Sequence, residues 1–298
     1  NYFTANGLTK VDSKEEADLA AVFTCSVVDD TENRTIEHIE ALKGLNCEIL
    51  LMGCSPAMSP EKFKSFFTGK MISTKDLETE IDKYFPDFKI KFEEMPLPAD
   101  YQEDYPYGQY YYDQYSSLKQ QSKLFGQKKI KPALIITSKG CNNYCSYCTM
   151  KLALGPLKSY PLEMIRNNYL ELRKKKSTKF IFNGDDTGSY GQDINLNFGD
   201  VLAACQEVDD EYFKSRVFTT KPQWVIDNLH PKWFNGLFQH FLKFAETGKI
   251  TEMVIPLQSA SNSILKLMRR HNEIEPTVEN LKKIMQTAPS LKIQTHFI

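Results

Sequence analysis

Short apolar runs alternate with amphipathic stretches along most of the chain. Residues 20–24 form an apolar run of strand length, and Asp29-Asp30-Thr31 then offer N-cap side chains. Ile36, Ile39 and Leu42 recur at helical spacing up to about residue 43. Residues 48–52 predict a second strand, closed by Gly53-Cys54-Ser55-Pro56. A helix over 60–67, a strand over 70–73 and a helix over 75–84 follow. Parallel strands need crossover helices, so this alternation predicts a small doubly wound parallel α/β domain over residues 1–92.

Residues 93–131 break the pattern. Pro96, Pro98 and Pro106 accompany a Tyr/Asp/Gln-rich stretch over 101–115, and a basic run follows over 127–131. This composition predicts a linker or insertion. From residue 132 to 298 the period returns, with strands expected over 133–137, 179–182, 216–219, 252–256 and 291–297. The intervening helices are expected over 161–175, 197–208, 222–229, 233–244 and 261–287, the last broken near Asn272. Repeated βα units of this length predict a partial (βα) barrel, whose active site would lie at the C-terminal strand ends.

Composition narrows the setting. With 41% hydrophobic and 25% charged residues among 298, the chain resembles an ordinary globular protein. Its net charge of −1 announces no polyanion binder, so any RNA contact would rest on local patches such as Arg173-Lys174-Lys175-Lys176 or the 127–131 run. Seven cysteines, three of them within eight residues, fit a reducing compartment better than a disulfide framework. No apolar run reaches membrane-spanning length and no signal pattern opens the chain, so a cytoplasmic location with no membrane partner is expected. The chain starts at Asn1 rather than Met and stops inside a predicted strand, and is therefore expected to be part of a longer protein.

The chemistry concentrates in Cys141-Asn142-Asn143-Tyr144-Cys145-Ser146-Tyr147-Cys148, directly after the first barrel strand. Zinc sites take four ligands, usually as two separated pairs, whereas here three thiolates come from one tight loop. Three thiolates around a 4Fe-4S cluster leave one iron open, and that iron can chelate the amino and carboxylate groups of S-adenosylmethionine. After the second barrel strand, Asn183-Gly184-Asp185-Asp186-Thr187-Gly188-Ser189-Tyr190-Gly191 combines carboxylates, Tyr190 and three glycines that would let backbone approach a ligand. After the fourth, Gln258 leads into a Ser-rich helix start at which Ser261 or Asn262 would be the N-cap. Cys25 and Cys54 each follow a predicted strand and would share one sheet edge. Taken alone, those two thiols fit a shared crevice or ordinary small buried side chains. Cys47, at the opposite end of its strand, and Cys205, inside a helix, read as structural.

In order, Thr24-Cys25-Ser26-Val27, Gly53-Cys54, residues 140–148, Gly155-Pro156-Leu157-Lys158-Ser159, residues 185–191 and Pro256-Leu257-Gln258-Ser259-Ala260-Ser261 resemble the radical S-adenosylmethionine methylthiotransferases. The resemblance covers nearly the whole chain except 93–131. The Asp-Asp-Thr-Gly-Ser-Tyr-Gly-Gln-Asp run and Gln-Ser-Ala-Ser are most like the archaeal and eukaryotic type, which acts on threonylcarbamoyladenosine beside the tRNA anticodon. Relatives acting on isopentenyladenosine in tRNA, or on an aspartate of a small-subunit ribosomal protein, match less well. The resemblance implies that Cys141, Cys145 and Cys148 hold the radical-generating 4Fe-4S cluster, with Tyr147, Asp186, Tyr190 and Gln258 around S-adenosylmethionine. It implies that Cys25 and Cys54 are two of three ligands to a second, auxiliary 4Fe-4S cluster that carries the sulfur. It also implies a tRNA substrate methylthiolated at carbon 2 of the modified adenine, and a flavodoxin or ferredoxin as electron donor. Lys158 stands where the family usually has Arg, no cysteine precedes Cys25 as a third auxiliary ligand, and the family's C-terminal RNA-binding β-barrel is not in this chain. A non-catalytic iron–sulfur or RNA-binding module is the alternative of a different class. An intact three-cysteine loop argues against it, since such a module has no use for an open iron.

Overall fold

The computed structural model describes residues 2–24, 29–95, 132–214, 220–270 and 272–298. The chain divides into two compact units, Asn1–Pro96 with Tyr147–Pro156, and Leu97–Ser146 with Leu157–Ile298. Most of the expected linker, from residue 96 to 131, lies outside the described residues. Met95, inside the expected linker, packs against the apolar cluster of the first unit.

In the first unit, strands β1 (Leu19–Thr24), β2 (Glu48–Gly53) and β3 (Lys70–Ser73) form a parallel sheet in the order β1-β2-β3. Its helices are α1 (Tyr2–Ala5), α2 (Asp29–Lys43), α3 (Ser55–Met58), α4 (Pro60–Lys64), α5 (Leu77–Tyr84) and α6 (Lys151–Leu154). The period of two along β2 sends Leu50 and Met52 into a cluster with Tyr2 and Ile81, and Leu51 into another with Ile39 and Phe63. Helices α1 and α5 thus cover one face, and α2 and α4 the other, as the doubly wound reading expects. Helix α1 was not expected, since four residues carry no period. Tertiary packing makes it, with the Tyr2 ring among Phe3, Phe88 and Phe92 and its hydroxyl donating to Asp82 at 2.6 Å. Gly53 ends β2 at φ +110°, where an added Cβ would meet the Thr24 carbonyl oxygen at 2.4 Å. Only glycine fits this close approach of β2 to the end of β1.

The second unit is built on five parallel strands in the order β4-β7-β8-β9-β10: β4 (Ala133–Ile136), β7 (Lys179–Asn183), β8 (Gln223–Ile226), β9 (Ile250–Val254) and β10 (Lys292–Gln294). A short antiparallel pair, β5 (Ser138–Lys139) and β6 (Lys158–Ser159), flanks the start of the cysteine loop. The helices are α7 (Leu162–Lys174), α8 (Phe198–Lys214), α9 (Pro231–Gly236), α10 (Phe238–Glu246), α11 (Asn262–Leu267) and α12 (Ile274–Thr287). Each parallel strand pairs with the next in sequence, the arrangement of a partial (βα) barrel.

One expectation fails. The helix expected over 222–229 is instead strand β8, while the strand expected over 216–219 lies outside the described residues. Pro222 resembles a helix N1 residue, yet it equally suits a strand start, where its missing N–H costs nothing. Trp224, Val225 and Ile226 prefer extended backbone, and both faces are filled: Trp224 and Ile226 join the large core, and Val225 joins Ile181 and Val254 on the other side. Tertiary burial overrides the helix signal. Phe180, Phe182 and Phe241 are wholly buried in that core, each contributing about 1.5–3 kcal/mol of transfer free energy.

At the N-terminal ends of these strands lies a buried ionic network. Asp209 takes Arg173 Nε at 3.0 Å, Lys249 Nζ at 2.9 Å and the Tyr169 hydroxyl at 2.9 Å. Arg173 also donates to the Ser177 and Thr220 carbonyls, and Trp224 Nε1 donates to the Tyr169 oxygen. Cys205 is wholly buried on α8, and burial raises its thiol pKa far above the ordinary value, consistent with a structural role. No helix among the described residues is long and apolar enough to cross a membrane.

Candidate functional site

The cysteine loop leaves β5 through Gly140, whose φ of +74° turns the chain and whose N–H donates to Asp185 Oδ2 at 2.6 Å. Asn143, which sequence reasoning did not single out, donates its backbone N–H and its Nδ2 to Cys141 Sγ, both at 3.3 Å. Burial pushes the Cys141 thiol up to about 11, opposed by those two donors. Cys145 is 5% exposed, and Arg270 Nη1 lies 3.8 Å from its sulfur. Ser146 donates its N–H to the Met268 carbonyl at 2.9 Å and its hydroxyl to the Leu267 carbonyl at 3.2 Å. The turn after α11 therefore braces the loop. Cys148 is half-buried and Tyr147 partly exposed, and both belong to the short segment grouped with the first unit.

The loop after β7 supplies Asp186, 3% exposed. Its Oδ2 accepts from Asn143 Nδ2 at 2.6 Å and from Trp233 Nε1 at 2.8 Å, whereas its buried Oδ1 has no partner. Burial raises this carboxyl from 3.8 to about 6, against the pull of those donors, of the His230 backbone N–H and of the Arg270 charge. Burial also raises Asp185, opposed by the Gly140 N–H. The three glycines of this loop do not leave room for a ligand. A Cβ on Gly188 would meet Trp233 Cβ at 2.4 Å, and Gly184 and Gly191 face Ser138 and the Leu196 backbone as closely. Gly188 lets α9 pack down so that Trp233 reaches Asp186, while Gly184 admits Ser138 and Gly191 admits the loop's own backbone. Tyr190 is wholly buried in the core, and its hydroxyl donates to the Tyr160 carbonyl at 3.0 Å.

Gln258 follows β9 at φ +68°, a conformation held from both sides. Its N–H donates to the His296 carbonyl at 2.7 Å, and its own carbonyl accepts from the Ile298 N–H at 3.1 Å. Its Oε1 is buried without a partner. Ser261 takes the N-cap position of α11, as expected, without a side-chain capping bond. Asn262 instead clamps α12, accepting from the Ile274 N–H and donating to Glu275.

In the first unit, Cys54 follows β2, half-buried, with its sulfur 3.8 Å from Thr74 Oγ1. Cys25 lies outside the described residues. Thr24 and Gly53, which immediately precede the two cysteines, are register partners at the same end of the sheet. Cys47 is half-buried at the opposite end of β2.

Among the described residues no three His, Cys, Asp or Glu side chains converge on a single-ion site. The chemistry around two of the cysteines suits thiolate ligands of an iron–sulfur cluster. Cys141 and Cys145 are met by amide and guanidinium donors that favour anionic sulfur, and Asp186 Oδ1 and Gln258 Oε1 are buried acceptors with no protein donor. Sequence reasoning missed Asn143, Trp233 and Arg270. Asn143, lying between two cysteines, offered the only local signal.

Residues 135–293 match the radical SAM superfamily, and residues 1–72 match an uncharacterized protein family, UPF0004. The chain is 28% identical, over its full length and 64% of the relative's, to a probable threonylcarbamoyladenosine tRNA methylthiotransferase of Methanocaldococcus jannaschii. It is 25% identical to a tRNA-2-methylthio-N(6)-dimethylallyladenosine synthase of Clostridium botulinum, over 98% of this chain and 62% of that one. The chain thus spans just under two thirds of the length of these curated relatives. Among solved structures, the cobalamin-dependent S-adenosylmethionine radical enzyme OxsB matches with a TM-score of 0.61 at 13% identity, over 94% of this chain and 41% of that one. At that identity the likeness concerns the fold.

Proposed function

The chain belongs to the radical SAM superfamily, and from that premise we propose that it is the greater part of a tRNA methylthiotransferase acting on threonylcarbamoyladenosine. The observation that carries the reading is the cysteine loop at the C-terminal end of the first strand. Two of its sulfurs face donors, the half-buried Asn143 amide and the buried Arg270 guanidinium, and Asn143 also holds a carboxylate with one unpartnered oxygen. Similarity along nearly the whole of this chain to tRNA methylthiotransferases supports the same reading.

In this reading Cys141, Cys145 and Cys148 hold a 4Fe-4S cluster, and Tyr147 lies beside the adenine of S-adenosylmethionine. Asp186 and Gln258 accept hydrogen bonds from the cofactor through their unpartnered oxygens. Tyr190, its hydroxyl taken by Tyr160, supports the loop from within the core. Bound together, cluster and cofactor supply one-electron cleavage of a sulfonium, which no side chain can provide. Asn143 holds Cys141 and Asp186 at once and so fixes the spacing between cluster ligand and cofactor acceptor. Cys25 and Cys54 are ligands to a second 4Fe-4S cluster that carries the sulfur to be transferred. The protein acts in the cytoplasm and draws electrons from a flavodoxin or ferredoxin.

Mass spectrometry of tRNA nucleosides from a deletion strain tests the substrate. The methylthio form of threonylcarbamoyladenosine should vanish while its precursor accumulates. If the mark lost is on dimethylallyladenosine, the activity of the Clostridium relative is the better guide. If neither nucleoside changes, tRNA methylthiolation is wrong.

A further inference from the structure

The proposed chemistry needs a cluster that accepts an electron at low potential, and the potential of such a cluster depends on net charge and on hydrogen bonds to its sulfurs. Three features of the second unit meet at one side chain. Arg270 is 7% exposed, buried although always charged. Its Nη1 lies 3.8 Å from Cys145 Sγ, and its Nη2 donates to the Pro256 carbonyl at 2.6 Å. Its charge also reaches Asp186, lowering the pull of burial on that carboxyl. The backbone that presents it is fixed independently, because Arg269 holds φ +53° and the Leu267 and Met268 carbonyls accept the two bonds from Ser146. A guanidinium held this way cannot drift off into water. Burying it would cost several kcal/mol unless nearby negative charge compensated.

We infer that Arg270 is a positioning residue that sets the charge state of the radical-generating cluster, acting through Cys145 to favour one-electron reduction. This rests on the reading of Cys141, Cys145 and Cys148 as ligands. The electron comes from an external low-potential carrier of the flavodoxin or ferredoxin class. It adds one negative charge to the cluster, and the fixed cation beside one thiolate stabilises that added charge. The Pro256 carbonyl holds the fork of the guanidinium in place, so that the donor facing the sulfur keeps its aim.

The test is an EPR-monitored redox titration with dithionite of the full-length reconstituted protein. It is done in a Cys25→Ala/Cys54→Ala background so that one cluster is read, and without S-adenosylmethionine so that cofactor binding does not intrude. Arg270→Gln should disfavour reduction at least tenfold, a shift of about 59 mV to more negative potential for a one-electron couple. Arg270→Lys, which keeps the charge, should recover most of it. Iron content is measured in each variant. Normal loading of the Lys variant with loss of iron in the Gln variant also supports the inference, since the charge is then needed for the site itself. Equal potentials in wild type and Arg270→Gln would overturn it, as would equal iron loss in both variants, which would leave Arg270 a packing residue. If the parent protein binds no 4Fe-4S cluster at all, the functional reading falls and takes this inference with it.

Discussion

The two ends of the five-stranded sheet each bury a carboxylate, with two cations at one end and one at the other, and they treat it differently. At the N-terminal end, Asp209 has both oxygens engaged by Arg173, Lys249 and Tyr169. At the C-terminal end, Asp186 has one oxygen held by two neutral donors and the other held by nothing. The first is a closed circuit of protein groups, and such networks hold a fold in one arrangement. The second leaves a desolvated acceptor, which costs stability in the protein on its own and which the proposed function uses for a ligand. Burial alone does not distinguish structure from function here, because both carboxylates are nearly inaccessible. Completeness of partnering does.

The comparison can be broken from either side. The largest effect should come from Asp209→Ala, which strands two buried cations and should cost about 3–5 kcal/mol in chemical denaturation. If it costs less than 1 kcal/mol, the network is not the stabilising element supposed. Next is the pH dependence contributed by Asp186. Its folded pKa of about 6 exceeds the ordinary 3.8, so between those values the folded protein keeps a proton that the unfolded chain releases. Stability should therefore be highest below about pH 3.8 for this group and fall by about 3 kcal/mol as pH rises through about 6. The difference in stability between wild type and Asp186→Asn, followed from pH 3.5 to 7 in the metal-free protein, should carry that slope. A flat difference would mean that Oδ1 is not desolvated. The smallest effect is expected from Tyr169→Phe, which removes one hydroxyl from Asp209 and one acceptor from Trp224. It should cost about 1–2 kcal/mol by thermal unfolding, with no change in cofactor binding.

Much of this architecture is legible in the sequence, for a physical reason. Parallel strands buried on both faces must be continuous apolar runs, so β2, β4, β7 and β9 stand out. Strand β8 does not, because a four-residue run preceded by proline carries too little period to outweigh a false helix start. The cysteines are legible because their spacing is local. Their supporting groups are not. Asn143 finds Asp186 at a separation of 43 residues, Trp233 finds it at 47, and Arg270 finds Cys145 at 125. An arginine after a helix reads the same in sequence whether it faces water or sulfur. The three glycines after β7 misled in the opposite direction. Their small size serves the approach of protein groups, Trp233 of α9 at Gly188, Ser138 at Gly184 and the Leu196 backbone at Gly191, and only the packed structure shows this.

The brace on Ser146 also sets an order of events during biosynthesis. Its partner, the Leu267 carbonyl, lies 121 residues further along the chain. At about 5–20 residues per second, a ribosome takes several seconds or more to make that intervening length. Until it has been made and folded, Ser146 has no brace and Cys145 has no cation beside it. The three cysteines emerge early and together, but the surroundings of Cys145 are a late product of folding.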